Sequence, residues 1–156
     1  MNHSIYTSPI GEVLLTEEQG VITKIRTLDE PTIYDIIELS VAHPVVQTCA
    51  DQLDEYFKGE RKTFDFKYEN KGTPFRTRVW QALETINYGQ TITYGELAQQ
   101  IGNKNASRAV GGANHHNNIW LVVPCHRVIG HKGQLTGYGG GLWRKEWLLA
   151  HEEKHR

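Results

Sequence analysis

The stretch Ile119-Trp120-Leu121-Val122-Val123-Pro124-Cys125-His126-Arg127-Val128 carries the main information about how the second half of this chain folds and works. Its first five residues are apolar and predict a buried strand, which Pro124 ends because proline has no N–H for a ladder. The thiol of Cys125 is therefore expected at the rim of a core, next to an imidazole and a guanidinium. A thiolate is a strong nucleophile, and a neighbouring base or cation populates it. The alternative interpretation is a buried cysteine that packs as a small hydrophobe.

Length and cysteine content limit the class of protein. With 156 residues, the chain can form one domain or two small ones. Cys49 and Cys125 are too few and too far apart for a disulfide scaffold, which favours a reducing compartment. No apolar run is long enough to span a membrane, and the first residues lack the basic and apolar segments of a signal peptide. We therefore expect a cytoplasmic protein that does not associate with membranes.

Charge is unevenly divided along the chain. Residues 1–72 carry 13 acidic and 7 basic side chains, whereas residues 73–156 carry 5 acidic and 10 basic ones. A basic half joined to an acidic half suggests that the basic half binds a polyanion. Chance segregation of solvated charges is the alternative, and the charges alone do not decide between them.

The first half of the chain has the pattern of a small sheet followed by a helix. From Pro44 a 3.6-residue period begins, with Gly59 as the helix terminator. Residues 29–42 are ambiguous and fit either a loop or a short helix. Apolar runs separated by turn residues, together with one segment of strict alternation, predict strands over His3–Ser8, Gly11–Thr16, Val21–Thr27 and Thr63–Tyr68.

The second half is predicted to be mostly helical. The polar stretch 69–74 is the best candidate linker, which gives domains over 1–72 and 73–156 and an α+β (α/β) fold class. Thr73, Thr93 and Ser107 are each expected to cap a helix, and a last helix is expected over Trp143–Glu153. Thr93–Ile101 and Ser107–His115, joined by a tight glycine-containing turn, suggest a winged-helix-like helix-turn-helix.

The second helix of that pair has an unusual composition. In Arg108-Ala109-Val110-Gly111-Gly112-Ala113, one arginine precedes nearly bare backbone, although each helical glycine costs about 1 kcal/mol relative to alanine. Few long polar side chains are available for base edges in the major groove. The helix instead suits the minor groove, where close approach and a single inserted side chain dominate. Close packing against another helix of the same domain would also explain the glycines.

Four motifs in one order resemble the O6-alkylguanine-DNA alkyltransferases, also called methylated-DNA–protein-cysteine methyltransferases. The resemblance covers about residues 73–153, and residues 1–72 match only in outline, as an N-terminal RNase H-like domain with a sheet and a helix. The motifs are Tyr94-Gly95-Glu96-Leu97-Ala98, Arg108-Ala109-Val110-Gly111-Gly112-Ala113, Pro124-Cys125-His126-Arg127-Val128-Ile129 and Gly140-Gly141-Leu142-Trp143-Arg144-Lys145-Glu146-Trp147-Leu148-Leu149.

The resemblance implies a catalytic set that transfers an alkyl group to the protein itself. Cys125 would accept the group, His126 would act as its base through a bound water, and Glu152 would hold the imidazole. Asn117 would join this network and brace the turn before the cysteine. These roles follow the logic of nucleophile, base and orienting group. The product would be a thioether, so each molecule would react once.

The same resemblance implies a base pocket and a DNA surface. Tyr94 would donate to guanine N3, the carbonyls of Cys125 and Val128 would accept from the exocyclic amine, and Gly139 N–H would donate to O6. Tyr138, the Gly139–Gly141 run and Asn114 would form the pocket wall, which Trp120 would narrow. Arg108 would fill the gap left by the flipped nucleotide. The backbone beside it would approach the DNA at Ala109, Gly111, Gly112 and Ala113.

The implied partner is double-stranded DNA that contains O6-alkylguanine, and the resemblance also implies O4-alkylthymine as a second substrate. We expect a monomer that can assemble cooperatively on DNA, without a cofactor. The histidine spacings match no zinc signature, so no metal is expected. A non-catalytic binder of damaged DNA would lack Cys125. A Cys–His hydrolase would leave the helix-turn-helix unexplained, and a transcription regulator would not need the Pro124-Cys125-His126-Arg127 turn.

Overall fold

The computed structural model describes residues 1–29 and 43–156, which form two compact units, Met1–Asn70 and Lys71–Arg156. The loop or short helix expected over 29–42 falls, from residue 30 onward, outside the described residues. Within the described ranges, no helix has the length and apolar character needed to cross a bilayer.

The first unit contains a three-stranded antiparallel sheet in the order β1-β2-β3. Its alternating and apolar runs form strands as predicted, although β2 extends two residues further than expected. Side chains of the central strand are the most buried because β2 is covered by a neighbour on both edges. The strands are β1 (Asn2–Ser8), β2 (Gly11–Glu18) and β3 (Val21–Thr27).

Helix α1 (Pro44–Phe57) packs against this sheet and confirms the helical period read from the sequence. Cys49 is fully buried on its inner face, as expected. Gly59 follows the helix with a φ of 79°, a conformation that glycine adopts without strain.

The strand predicted over Thr63–Tyr68 is wrong. Tyr68 makes only an isolated parallel bridge with Ile22, and the rest of the segment has no ladder. A helix side chain takes the place of a strand partner, because Gln52 Oε1 accepts the backbone N–H of Asp65 at 3.1 Å. The alternation of aromatic and polar residues therefore identifies the rings that point inward, but it does not indicate a paired strand.

The second unit is mostly helical, and the structure has the α+β class predicted. Its elements are α2 (Pro74–Leu83), β4 (Ile92–Thr93), α3 (Tyr94–Gln100), α4 (Ser107–His115), β5 (Val128–Ile129) and α5 (Leu142–Lys154). Strands β4 and β5 pair in parallel beside the helices. The cap at Thr73 and the capping box at Thr93 form as expected. The cap assigned to Ser107 is wrong, because Ser107 lies inside α4 and Ala106 precedes it without a side-chain bond.

The apolar run 119–123 is buried but forms a turn, which corrects the strand prediction. Val123 N–H donates to the Ile119 carbonyl at 3.0 Å, and Leu121 has a φ of 74°. The side chain of Asn117 satisfies the backbone that a sheet would otherwise pair. Its Oδ1 accepts from Ile119 N–H at 3.0 Å and its Nδ2 donates to the Val123 carbonyl at 2.8 Å. One amide therefore closes the turn that presents Cys125.

Candidate active site

Cys125 begins a single 3-10 turn, Cys125–Arg127, directly before β5. Its side chain is buried, with 5% of the residue exposed. Burial raises the pKa of the thiol, while a hydrogen bond from Asn117 and the positive charge of Lys145 act in the opposite direction. A base that removes the proton is therefore required at neutral pH.

The next residue supplies an imidazole that is held by a carboxylate. His126 is fully buried, and its Nε2 lies 2.7 Å from Glu152 Oε2, on α5. The same carboxylate accepts from Arg127 Nε at 2.8 Å and Nη2 at 3.1 Å, and from Gly89 N–H at 3.2 Å. Arg127 Nη1 donates to the Ile86 carbonyl at 2.7 Å. Glu152 is thus the centre of a buried ion network in which His126, Arg127 and Gly89 all donate to its carboxylate.

Protonation states in this network follow from burial and charge. Burial lowers the pKa of His126 and outweighs the raising effect of the Glu152 carboxylate. Burial would raise the pKa of Glu152, but its interactions with His126 and Arg127 hold that pKa well below the usual range. The permanent charge of Arg127 keeps Glu152 ionised, and His126 is neutral with Nε2 as its donor atom. Its Nδ1 is then an acceptor.

Three buried polar atoms of this region have no hydrogen-bond partner among the described residues. They are the acceptor Nδ1 of His126, the Oδ1 of Asn114 and the hydroxyl of Tyr138. Buried polar atoms are normally paired, so a cluster of unpaired ones indicates where water or a ligand binds. Asn114 and Tyr138 both interact with Cys125, Asn114 through Nδ2 to the Cys125 carbonyl at 3.5 Å and Tyr138 electrostatically.

A buried lysine joins the parts of the predicted pocket. Lys145 on α5 is fully buried, and its Nζ donates to the Val128 carbonyl at 2.5 Å and the Thr136 carbonyl at 2.8 Å. The Thr136 carbonyl also accepts from the Tyr94 hydroxyl at 3.3 Å. Burial lowers the pKa of Lys145 to about 8, against the raising effect of Cys125. The ammonium therefore ties β5 to the loop that carries Tyr138.

Arg127 and Lys145 were given no role by sequence reasoning. Arg127 lay beside two predicted catalytic residues, and a basic side chain there is more often solvated than buried. Lys145 shares one face of α5 with Leu148 and Glu152, at spacings of three and seven residues. That spacing was a usable signal, because a lysine in line with a predicted core leucine and a catalytic carboxylate belongs to the inner face.

Trp120 forms one wall of the site together with the glycine run. Its indole donates to the Asn117 carbonyl at 3.0 Å and lies 5.0 Å from the Tyr138 ring, between centroids. A Cβ added at Gly139 would come within 3.2 Å of this indole, and one at Gly140 within 2.7 Å. The missing side chains are therefore what allows the Trp120 indole to approach the run this closely.

Helix α4 exposes the backbone that its composition suggested. Arg108 and Ala109 are exposed, and a Cβ added at Gly111 or Gly112 would meet nothing within 4 Å in the described part of the chain. These glycines are consequently not needed for packing inside the unit. Ala113 was predicted to belong to the DNA-facing surface of this helix, but its side chain is buried. Its carbonyl accepts a hydrogen bond from the Trp80 indole at 2.9 Å. Its side chain faces the core and is not part of the exposed face.

Val128 and Tyr94 are the other two residues predicted to contact the base. Val128 is buried in β5, and Tyr94 opens α3 half-buried, with its hydroxyl 3.8 Å from the position of a Cβ at Gly137. Burial raises the pKa of the Tyr94 phenol, so it stays protonated at neutral pH.

Among the described residues, no group of three or more His, Cys, Asp or Glu side chains is arranged to hold a metal ion.

Both units match models of one protein family. Residues 1–69 match the ribonuclease-like domain of 6-O-methylguanine DNA methyltransferase, and residues 74–154 match its DNA-binding domain. A methylated-DNA–protein-cysteine methyltransferase from Mycolicibacterium paratuberculosis is 48% identical over 148 residues, covering 95% of this chain and 90% of the relative. One from Methanosarcina acetivorans is 44% identical over 153 residues, covering 97% and 98%.

A solved structure agrees with these relatives. The crystal structure of Mycobacterium tuberculosis OGT in complex with DNA superposes with a TM-score of 0.90 at 44% identity, covering 99% of this chain and 94% of that one. Together these matches identify a DNA-acting transferase. The chain belongs to the 6-O-methylguanine DNA methyltransferase family. Its activity is direct-reversal DNA repair, in which a protein cysteine takes the methyl group from DNA.

Proposed function

We propose that Cys125 is the residue that takes the alkyl group, from O6-alkylguanine and also from O4-alkylthymine in duplex DNA. The thiolate sulfur attacks the alkyl carbon in line, the carbon–oxygen bond breaks, and the base leaves with its oxygen restored. The thioether at Cys125 is stable to water, so each chain reacts once. The observation that carries this proposal is the cluster of unpaired buried polar atoms around Cys125, formed by His126 Nδ1, Asn114 Oδ1 and the Tyr138 hydroxyl.

The proton leaves the thiol by way of His126. A buried thiol with a raised pKa needs a base, and the Nδ1 of His126 is a buried acceptor that has no protein partner. One water between Sγ and Nδ1 would complete the path. Glu152 fixes the imidazole through Nε2 and stabilises its charged form, and Arg127 keeps that carboxylate ionised. Asn117 holds the turn that sets the direction of the sulfur.

The departing base is held between α3, β5 and the glycine run. Tyr94 donates its proton to N3 of guanine, which makes the base a better leaving group. Val128 offers its backbone carbonyl to the exocyclic amine of the base, and Gly139 offers its backbone N–H to O6. Tyr138 and Asn114 line the wall beside Cys125. Trp120 limits the space for bulky alkyl groups.

Helix α4 brings this pocket to the DNA through the minor groove. Its exposed glycines permit the phosphodiester backbone to approach closely, and Arg108 takes the place of the extruded nucleotide. Ala109, Gly111 and Gly112 supply the contact surface, to which Ala113 contributes through its backbone only. The basic balance of residues 73–156 favours DNA as partner.

The protein acts as a monomer in the cytoplasm, and neighbouring molecules assemble cooperatively along DNA. The opposite net charges of residues 1–72 and 73–156 support such assembly, because unlike charges of adjacent molecules attract each other. The two cysteines, both free, support a reducing compartment.

Intact-protein mass spectrometry tests the proposal. The protein is incubated with excess duplex DNA carrying O6-methylguanine, and the expected result is one added methyl group per chain, mapped to the peptide of Cys125. Cys49→Ala serves as the matched control and should gain the same mass, whereas Cys125→Ala should gain none. Transfer by Cys125→Ala, or more than one demethylated base per chain, would contradict the proposal.

A further inference from the structure

Helix α4 ends on two adjacent histidines. His115 is its last residue and His116 is its C-cap, and both side chains are exposed. Their rings meet edge to face, with centroids 5.5 Å apart. The proposed function gives neither imidazole a role, although both lie on the helix that it places against DNA.

His115 is in line with the surface of α4 that approaches the DNA. Arg108, Gly111, Gly112 and His115 are spaced by three, four and seven residues, which puts them on one face of the helix. The buried side chains of α4 lie on the opposite face. His115 therefore continues the exposed face by one turn, about 10 Å along the axis from Arg108. At that distance it lies over the strand that flanks the flipped nucleotide.

His116 has one ring nitrogen bound and the other available. Its Nδ1 lies 2.8 Å from the Gly112 carbonyl, and because a carbonyl only accepts, Nδ1 carries the hydrogen. In the neutral ring Nε2 is then an acceptor, which cannot bind an anion. Protonation turns Nε2 into a donor and leaves the bond to Gly112 in place. The charged ring can thus hold the helix end and an anion at the same time.

The surrounding elements supply no counter-ion for these imidazoles. Helices α2 and α3 pack against α4, and their titratable side chains are Arg76, Arg78, Tyr94 and Glu96. Arg78, Tyr94 and Glu96 are each bonded to the backbone, at Ile101, Thr136 and Thr93 respectively. Across the described ranges, no carboxylate pairs with either imidazole. An anion for the charged pair must therefore come from outside the chain.

We propose that His115 and His116, in their protonated form, bind a phosphate of the DNA backbone, so that DNA binding takes up protons from solvent. The inference rests on the proposed function, which places α4 in the minor groove. An ordinary imidazole changes charge between pH 5 and pH 8, whereas a backbone phosphate stays anionic over that range. DNA affinity consequently rises as pH falls, which a lysine or arginine at this position would not produce.

DNA affinity at two pH values tests the inference. Fluorescence anisotropy with a labelled, undamaged duplex measures Kd at pH 8 and pH 6, at matched ionic strength. Wild-type affinity should be about three- to tenfold tighter at pH 6, the value of one hydrogen-bonded contact. The slope of log Kd against log salt should also steepen by about 0.9, because one more phosphate is neutralised. The double variant His115→Gln/His116→Gln should show neither change.

Two further variants separate a role of charge from a role in folding. His115→Arg carries a permanent charge on the same face and should bind tightly at both pH values. His131→Gln removes an exposed histidine of the same unit outside α4, and it should keep the wild-type pH dependence. Circular dichroism at both pH values checks that each variant is folded. If the double variant does not fold, His115→Gln and His116→Gln are measured singly, and each should lose part of the pH dependence.

The outcomes distinguish this inference from the proposed function. Equal wild-type affinities at the two pH values, or a full pH dependence in the double variant, would overturn the role of the histidines. Loss of the pH dependence in His131→Gln would place the proton uptake elsewhere and would overturn it too. Either result leaves methyl transfer to Cys125, measured by mass spectrometry, unaffected. Absence of both duplex binding and transfer in the wild-type chain would overturn the proposed function itself.

Discussion

The two cysteines of this chain are both buried, yet their surroundings give them different chemistry. Cys49 is fully buried on the inner face of α1, and burial raises the pKa of its thiol well above the usual range with no opposing contribution. Cys125 is also buried and its pKa is also raised, but Asn117 and Lys145 oppose that effect. His126 follows it in a 3-10 turn.

The difference shows that burial by itself does not make a thiol inert. A thiol becomes a nucleophile where a base and a cation lie close enough to stabilise its anion as it forms. At Cys49, burial is the cause of the raised pKa of the thiol, and no charge or hydrogen bond opposes it. In the second unit a turn, a strand and α5 bring the supporting groups together. Five experiments extend or challenge this comparison, in order of decreasing effect.

Removing the base should make Cys125 resemble Cys49 most strongly. His126→Gln keeps a donor for Glu152 but cannot take up the thiol proton. We expect single-turnover methyl transfer from O6-methylguanine duplexes to slow by about 100- to 10,000-fold, the usual contribution of a general base. His131→Ala, at an exposed loop position, is the control and should transfer at the wild-type rate. A wild-type rate in His126→Gln would mean that the thiolate forms without this imidazole.

Neutralising Glu152 should destabilise the unit that supports Cys125. Glu152→Gln leaves the Arg127 guanidinium buried without its counter-ion, which costs about 3–5 kcal/mol in the free energy of unfolding. Glu153→Gln changes the next residue, whose ion pair with Arg156 is exposed, and should cost at most about 1 kcal/mol. Urea unfolding at pH 7 measures both. Equal losses in the two variants would contradict a buried network at Glu152.

The same residue gives a pH dependence with a defined sign. Because the pKa of Glu152 is lowered in the folded state, its contribution is fully present above the unfolded pKa of about 4.5 and is lost as pH falls below it. His126, whose pKa is also lowered, adds a loss that begins near pH 6.5. Wild-type stability should therefore fall on acidification, and Glu152→Gln should show a smaller fall between pH 5 and pH 3.

Arg108 tests whether the thiol is reached through a flipped nucleotide. Arg108→Ala should slow transfer from duplex DNA by about tenfold or more, since an extruded base would leave an unfilled stack. Reaction with free O6-benzylguanine should be unchanged, because that substrate needs no flipping. Lys104→Ala removes one exposed positive charge nearby in sequence and controls for general loss of DNA affinity. Equal losses on both substrates in Arg108→Ala would argue against the flipping role.

Replacing the other cysteine should have the smallest effect. Cys49→Ala removes one buried sulfur and should lower the free energy of unfolding by about 1 kcal/mol through the small cavity it leaves. Methyl transfer to Cys125 should keep its wild-type rate and stoichiometry. A loss of transfer that exceeds the loss of folded protein would mean that the first unit influences the site.

The sequence predicted the elements whose signals are local. The three N-terminal strands, α1, the caps at Thr73 and Thr93 and the helix-turn-helix pair depend on period, capping and turn residues that lie close together in the chain. Prediction failed where a side chain replaced a backbone partner. Gln52 takes the place of a strand at Asp65, and Asn117 closes a turn over the apolar run 119–123. Hydrophobicity indicated burial correctly there, but burial does not specify pairing.

The sequence by itself determined that this chain has a Pro-Cys-His-Arg turn, a glycine-rich helix and the motif order of an alkyltransferase, whereas the structure showed that the helix glycines are exposed. Only the tertiary structure decided which polar atoms near Cys125 have partners and which do not. It places Lys145 across two carbonyls, Arg127 on Glu152, and leaves Asn114 Oδ1 unpaired beside Tyr94. Those pairings join residues from α3, α4, β5 and α5, and no local pattern can encode them because each depends on how distant segments pack.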